Sequence, residues 1–158
     1  VLALLLAAGC KTTSTTPPKS QLEIRELQTR SYETNDVKLV MKVLVSVLQD
    51  EGFLVQNSST DLGLLAATKQ IRVESEQDFG TVLPQLSPNV KRRKNSVLDA
   101  NVVVSEYGTG CRVRVSFQIK MLSKSGKVRD AVAVDDAAYY QRFFSKVDKG
   151  LFLQAEKL

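Results

Sequence analysis

Four consecutive cations, Lys91-Arg92-Arg93-Lys94, form the densest charge cluster of the chain. Such a run suits an anionic surface: phosphate on lipid headgroups or lipopolysaccharide, or the carboxylates of an acidic partner. Near a membrane each cation of this kind adds about 1 kcal/mol of attraction. The competing reading is a solvated loop, the commoner fate of a charge run. No aromatic residues are interleaved with it, which argues against nucleic acid. Carboxylates occur as Glu74, Glu76 and Asp78 and as the pair Asp135-Asp136. Paired carboxylates do acid–base work only when held a few ångströms apart in a cleft. Nothing in the sequence sets that geometry, and helix capping explains Asp135-Asp136 better.

The chain contains no His. That excludes Ser-His-Asp and Cys-His catalytic arrangements and removes the commonest metal ligand. Ser and Thr are plentiful, but none sits in a nucleophile elbow. Cys10 and Cys111 are too few for a zinc site or a disulfide framework. The expectation is a non-enzymatic protein with no catalytic residue, no metal and no cofactor.

The elements that position these residues belong to one ordinary domain. A length of 158 residues suffices for one hydrophobic core, and 43% hydrophobic with 25% charged residues is a globular balance, not a disordered one. The formal net charge is +5. Residues 1–9, Val-Leu-Ala-Leu-Leu-Leu-Ala-Ala-Gly, are apolar but too short to span a bilayer. They fit the end of a secretory h-region with a small-residue cleavage site. Without an initiating Met or a basic n-region, the expectation is a longer precursor.

Leu6-Ala7-Ala8-Gly9-Cys10 resembles a bacterial lipobox, in which signal peptidase cuts before a Cys that becomes acylated. The alternative is an apolar N-terminal helix with an incidental Cys. The resemblance implies that Cys10 is the lipidation site and that the acyl chains hold the protein on a membrane. One chain binds marginally; two or three anchor stably. Envelope lipoproteins retained at the inner membrane commonly carry Asp after the Cys. Lys11 stands there, which implies outer-membrane sorting, with the domain facing the periplasm. Residues 11–20 are polar and Pro-containing, and read as a tether reaching at most about 35 Å. The expected organisation is a signal-peptide remnant at 1–9, the lipidated Cys and tether at 10–20, and one domain at 21–158.

Within that domain, residues 21–32 read as a strand. Thr34 or Asn35 can cap a helix, with Asp36 in its first turn. Val37, Val40, Met41, Leu44, Val47 and Leu48 recur at helical spacing, and Gly52 suits a left-handed stop. Phe53-Leu54-Val55 opens a strand, residues 58–63 turn, and residues 64–74 alternate despite Lys69, so the two runs read as a hairpin. Residues 75–96 form an irregular insert. There Phe79, Val82, Leu83 and Leu86 suggest a short helix that Pro84 and Pro88 cut. Residues 97–107 and 111–121 are strands joined at Gly108-Thr109-Gly110. In the second, Val113, Val115, Phe117, Ile119 and Met121 point one way, and Arg112, Arg114, Ser116, Gln118 and Lys120 the other. A turn at 124–127, a strand at 128–134 and a final helix follow. Asp135 or Asp136 caps that helix, and Tyr140, Phe143, Phe144, Val147 and Leu151 form its apolar stripe. Tyr139-Tyr140 and Phe143-Phe144 read as core, with an interface stripe as the alternative. Gly150 predicts fraying or bending of the last turns. Cys111 is expected as a buried small apolar residue, with intermolecular pairing as the alternative.

The predicted fold class is α+β: two layers, an antiparallel sheet packed on one face by two helices, in the order β-α-β-β-insert-β-β-β-α. The run Leu48-Gln49-Asp50-Glu51-Gly52-Phe53, with Asp61-Leu62-Gly63-Leu64-Leu65-Ala66-Ala67, resembles uncharacterised envelope lipoproteins and the helix-grip domains of BamC-like lipoproteins. The resemblance implies the fold and carries over no binding residue. Two functions fit. One is a lipid-anchored accessory or structural component of a membrane-associated assembly, with an envelope protein as partner. The alternative is a small-ligand or lipid-binding module using a cleft between helix and sheet.

Overall fold

Strict alternation of apolar residues in the second half of the chain demands a sheet with one dry face. In the computed structural model, which describes residues 19–72 and 95–156, that sheet forms. The elements are α1 (Gln21–Leu27), β1 (Thr29–Tyr32), α2 (Val37–Asp50), β2 (Leu54–Ser59), β3 (Leu64–Arg72), β4 (Asn95–Tyr107), β5 (Gly110–Leu122), β6 (Val128–Ala133) and α3 (Ala137–Ala155). The fold is the expected two-layer α+β arrangement. The strands are antiparallel in the order β1-β5-β4-β3-β2, and β6 shares the far edge of β5 with β1. There β1 pairs with Cys111–Arg114 and β6 with Gln118–Leu122. The gap between them is bridged by backbone bonds from Val115 to Gln28 and from Val134 to Phe117, both 2.9 Å.

The central hairpin turns at Gly108-Thr109, because Tyr107 pairs with Gly110. Gly108 adopts φ 61 at the first central position, where a two-residue hairpin loop favours glycine. Leu98, Ala100, Val102 and Val104 of β4 and Val113, Val115, Phe117, Ile119 and Met121 of β5 are buried on the helix side. Both helices bury their predicted stripes there: Val40, Met41, Leu44, Val47 and Leu48 from α2, joined by Val43 from outside the predicted stripe, and Tyr140, Phe143, Phe144 and Val147 from α3, while Val37 is only partly buried. Leu151 is only partly buried.

Several expectations need correction. Residues 21–32 are not one strand: α1 precedes a strand of four residues. Ser20 accepts from the Glu23 N–H at 3.2 Å, while the Ser20 N–H donates to the Glu23 carboxylate at 2.6 Å. This capping box is legible in Ser20-Gln21-Leu22-Glu23. The α2 cap is Asp36, whose Oδ1 accepts from Leu39 N–H at 2.9 Å; Thr34 instead accepts from the Asp36 N–H. Asp136, not Asp135, caps α3, accepting from Tyr139 N–H at 2.7 Å. Gly52 takes the left-handed conformation expected at the end of α2.

Gly150 does not end its helix, which continues to Ala155. It lies where the antiparallel α2 and α3 meet, and a Cβ there would stand 2.6 Å from Val43 Cγ1. The glycine costs helix propensity and permits close packing. Lys69 stands half-buried on the inner face between Ala67 and Ile71, as its place in the alternation predicts, and does not end β3. It donates to the Glu51 carbonyl at 2.5 Å and so satisfies a carbonyl at the α2 C-terminus. The readings placed on residues 75–94 lie outside the described residues.

One buried polar node ties three segments to the core. The Tyr140 hydroxyl donates to the Val134 carbonyl at 3.1 Å. It also accepts from the Phe117 N–H at 3.3 Å and from Gln28 Nε2 at 3.4 Å. Tyr140→Phe removes the hydroxyl from all three and should cost about 1–3 kcal/mol in chemical denaturation. Burial pushes Tyr140 above the ordinary tyrosine value, and pushes Tyr139 up to about 12. The folded state therefore holds both phenols protonated at pH values where the unfolded chain ionises them. Their contribution is complete below about pH 10 and is lost as pH rises from there, up to about 12 for Tyr139. Stability should fall over that range, and less steeply in Tyr140→Phe.

Candidate functional site

The helix side of the sheet is filled. Among the described residues no buried side-chain nitrogen or oxygen lacks a partner, and no three His, Cys, Asp or Glu residues gather as a metal site. Shallow grooves open to solvent at the margins of the helix layer. One, of about 410 Å³, lies between α2 and α3 and is lined in part by Val43, Lys146, Lys149 and Leu153. Another, of about 490 Å³, lies between α2 and the β2–β3 turn. Lys146 forms an ion pair with Glu51 at the first.

The opposite side of the sheet differs. Side chains directly across a β-ladder share a face, so register assigns it. Ser59, Leu64, Val103, Arg114 and Thr29 form one rung across β2, β3, β4, β5 and β1. Ser105, Arg112 and Ser31 form the next rung toward the hairpin turn. No described helix packs over these rungs, and the outward positions of β4 and β5 are exposed or half-buried. Nine large apolar side chains are exposed among the described residues, and five of them, Leu54, Leu62, Leu64, Val103 and Tyr107, lie on or beside this face. Scattered singly, exposed apolar residues mean little; gathered, they mark an interaction surface.

Charge on this face is uneven. Asp99 is the one carboxylate that register places here among the described residues. It is engaged by Lys120 Nζ at 2.5 Å and by Thr68 Oγ1 at 2.9 Å. Arg112 and Arg114 have no carboxylate partner among the described residues. The Arg112 guanidinium carbon lies 3.4 Å from the Tyr107 ring centroid, a cation–π stack. This end of the face is thus cationic and partly apolar, with an aromatic ring holding one of its two guanidinium groups.

The residues singled out from sequence are placed as follows. Cys10 and Lys91, Arg92, Arg93 and Lys94 lie outside the described residues, as do Glu74, Glu76 and Asp78. Asp135 and Asp136 end as a connector and a cap, 135 receiving a bond from Lys19 on its carbonyl. Cys111 is buried in the core. Burial pushes its thiol up, and Glu106 and Asp36 add to the shift. A thiol held protonated is a poor nucleophile. Tyr140, Phe143 and Phe144 are core residues, and Tyr139 is half-buried against Phe117 at a centroid distance of 4.9 Å.

Sequence reasoning placed Arg112 and Arg114 on a solvated face but missed their company with Tyr107, Val103 and Leu64. Alternation along one strand assigns faces within that strand only. Which outward residues become neighbours depends on register between positions as far apart as Thr29 and Arg114, and no local signal carries it. Among the described residues no helix is long and apolar enough to cross a membrane. The chain matches no protein-family model and no curated protein.

Proposed function

We propose that this chain is a lipid-anchored, non-enzymatic envelope protein, an accessory component of a membrane-associated assembly, that meets its partner through the open face of its sheet. Cys10, at the end of the lipobox-like run, is the anchor, and Lys11 favours the outer membrane. One observation carries the docking face: the space between helices and sheet is filled by core, whereas the outer face gathers exposed apolar side chains and two guanidinium groups. A filled interior favours the surface reading over a ligand held between helix and sheet. Leu48 to Phe53 and Gly63, which carry the likeness to envelope lipoproteins, do structural work in the helix stop and the hairpin. They support the kinship in fold and add no ligand site.

The anchor and the face are tested together. Expressed behind an intact secretion signal, the protein should incorporate labelled palmitate and fractionate with membranes, and Cys10→Ala should do neither. In the membrane-bound protein, a photo-crosslinker at Val103 should yield a discrete adduct, and one at Gln141 on the outer side of α3 should not. Membrane retention of Cys10→Ala would remove the anchor from the proposal. Equal adducts at the two positions would remove the docking face.

A further inference from the structure

Resting on that reading of the open face, we infer that the end bounded by Leu64, Val103, Tyr107, Arg112 and Arg114 binds an acidic segment of a partner protein. Charge points to this occupant. Three cations of the described domain are neutralised within the chain: Arg30 by Asp148 at 2.7 Å, Lys120 of the open face by Asp99 at 2.5 Å, and Lys146 by Glu51. Arg112 and Arg114 are the exception among the cations of the sheet's open face, with no carboxylate partner among the described residues. They stand two residues apart on one strand, so their Cα atoms are separated by about 7 Å and their side chains leave the sheet on the same side. Carboxylates at alternate positions of an extended segment have the same spacing.

The chemistry of the two arginines points the same way. Stacking on Tyr107 occupies the face of the Arg112 guanidinium and holds it in position. The N–H edge, which pairs bidentately with carboxylate, is not consumed by stacking. Arg114 shares its rung with Val103 and Leu64, so apolar contact lies directly beside the charge. Tyrosine and arginine are the usual anchors of protein interfaces, and Val103 and Leu64 supply apolar contact around them. The neighbouring Ser105 and Ser31 add hydrogen-bonding groups that an extended backbone can use.

Other occupants fit less well. A second copy laid face to face would offer Arg112 and Arg114 no free carboxylate, because Asp99, the one that register places on this face among the described residues, is engaged by Lys120. A lipid surface is entered by a protruding apolar element, whereas Val103 and Leu64 lie within the strands of a sheet.

The test uses the full acylated chain in phosphatidylcholine nanodiscs, with a fluorescent peptide of alternating Glu and Val as probe and an alternating Lys-Val peptide as control. The Glu-Val peptide should bind and the Lys-Val peptide should not. Arg112→Gln with Arg114→Gln should weaken Glu-Val binding about ten-fold, mostly through faster dissociation. Arg112→Lys with Arg114→Lys should restore part of it. Lys38→Gln with Lys42→Gln on the exposed side of α2 should leave it unchanged. Equal weakening by the two Gln pairs would reduce the effect to general charge and overturn the inference. No Glu-Val binding alongside a Val103 adduct would overturn it and leave the docking face standing; absence of the adduct would remove both. Loss of Cys10→Ala chain binding to phosphatidylglycerol vesicles in the Arg112→Gln and Arg114→Gln variant, with peptide binding unchanged, would assign the patch to lipid and overturn it as well.

Discussion

Gly63→Ala should cost about 3–5 kcal/mol of folding stability, whereas Gly108→Ala should cost about 1–2 kcal/mol. Both glycines sit in hairpin turns with nearly equal backbone angles, φ 63 and φ 61. A left-handed alanine is strained by a similar amount at either place. They differ in what surrounds them. A Cβ on Gly63 would overlap the backbone carbonyl of Val104, while one on Gly108 meets nothing within 4 Å. That carbonyl cannot move aside alone. The Val104 N–H donates to the Gly63 carbonyl at 2.7 Å, so the two residues extend the β3–β4 ladder by one step. Relief of the clash would break this bond and disturb the Leu64–Val103 pair that follows it. Denaturant midpoints of the two variants are the measurement. Equal losses would show that turn strain alone matters and that β3 does not press against β4 at this point.

Phe117→Ala should cost about 3–5 kcal/mol, the sum of lost transfer energy and the cavity left behind. Phe117 is 1% exposed and lies among four other rings. Its centroid is 4.9 Å from Tyr139, 5.2 Å from Phe143, 5.6 Å from Tyr140 and 6.0 Å from Phe53. These rings come from α3 and from the residue before β2, so the side chain joins α3 and the α2–β2 connection to β5. The site cannot collapse readily, because Tyr140 is held by hydrogen bonds to Val134 and to Phe117's own N–H. Gln118→Ala, one residue on, should lie within about 0.5 kcal/mol of the parent, since Gln118 points to the open face. Comparable losses at 117 and 118 would mean that something covers the open face, and the two-layer account would fail.

Much of this architecture was legible before any coordinate. Alternation from Cys111 to Met121 assigns a dry and a wet side to β5, because successive side chains of a strand must leave on opposite faces whatever the strand packs against. Helical spacing from Val37 to Leu48 and from Tyr140 to Val147 assigns the buried stripes of α2 and α3 on the same covalent grounds. Gly52 and the Gly108 turn follow from local backbone preference. α1 was legible too, through its capping box, but the apolar spacing of Leu22, Ile24 and Leu27 competed with that signal and favoured a strand.

Other features depend on residues distant in sequence, and these only the tertiary structure decided. Gly150 looks like a weak point in a helix until Val43 of another helix is found against it. Lys69 looks like a fault in an apolar strand until the Glu51 carbonyl is found above it. The candidate docking face is of this kind. Leu64, Val103, Tyr107, Arg112 and Arg114 are ordinary outward residues of three strands, and they form one cationic, partly apolar patch because register sets them side by side. Local sequence determines which way a side chain leaves the backbone. What it meets there is settled by pairings between strands distant in sequence, whose free energy comes from the whole sheet and not from any one segment.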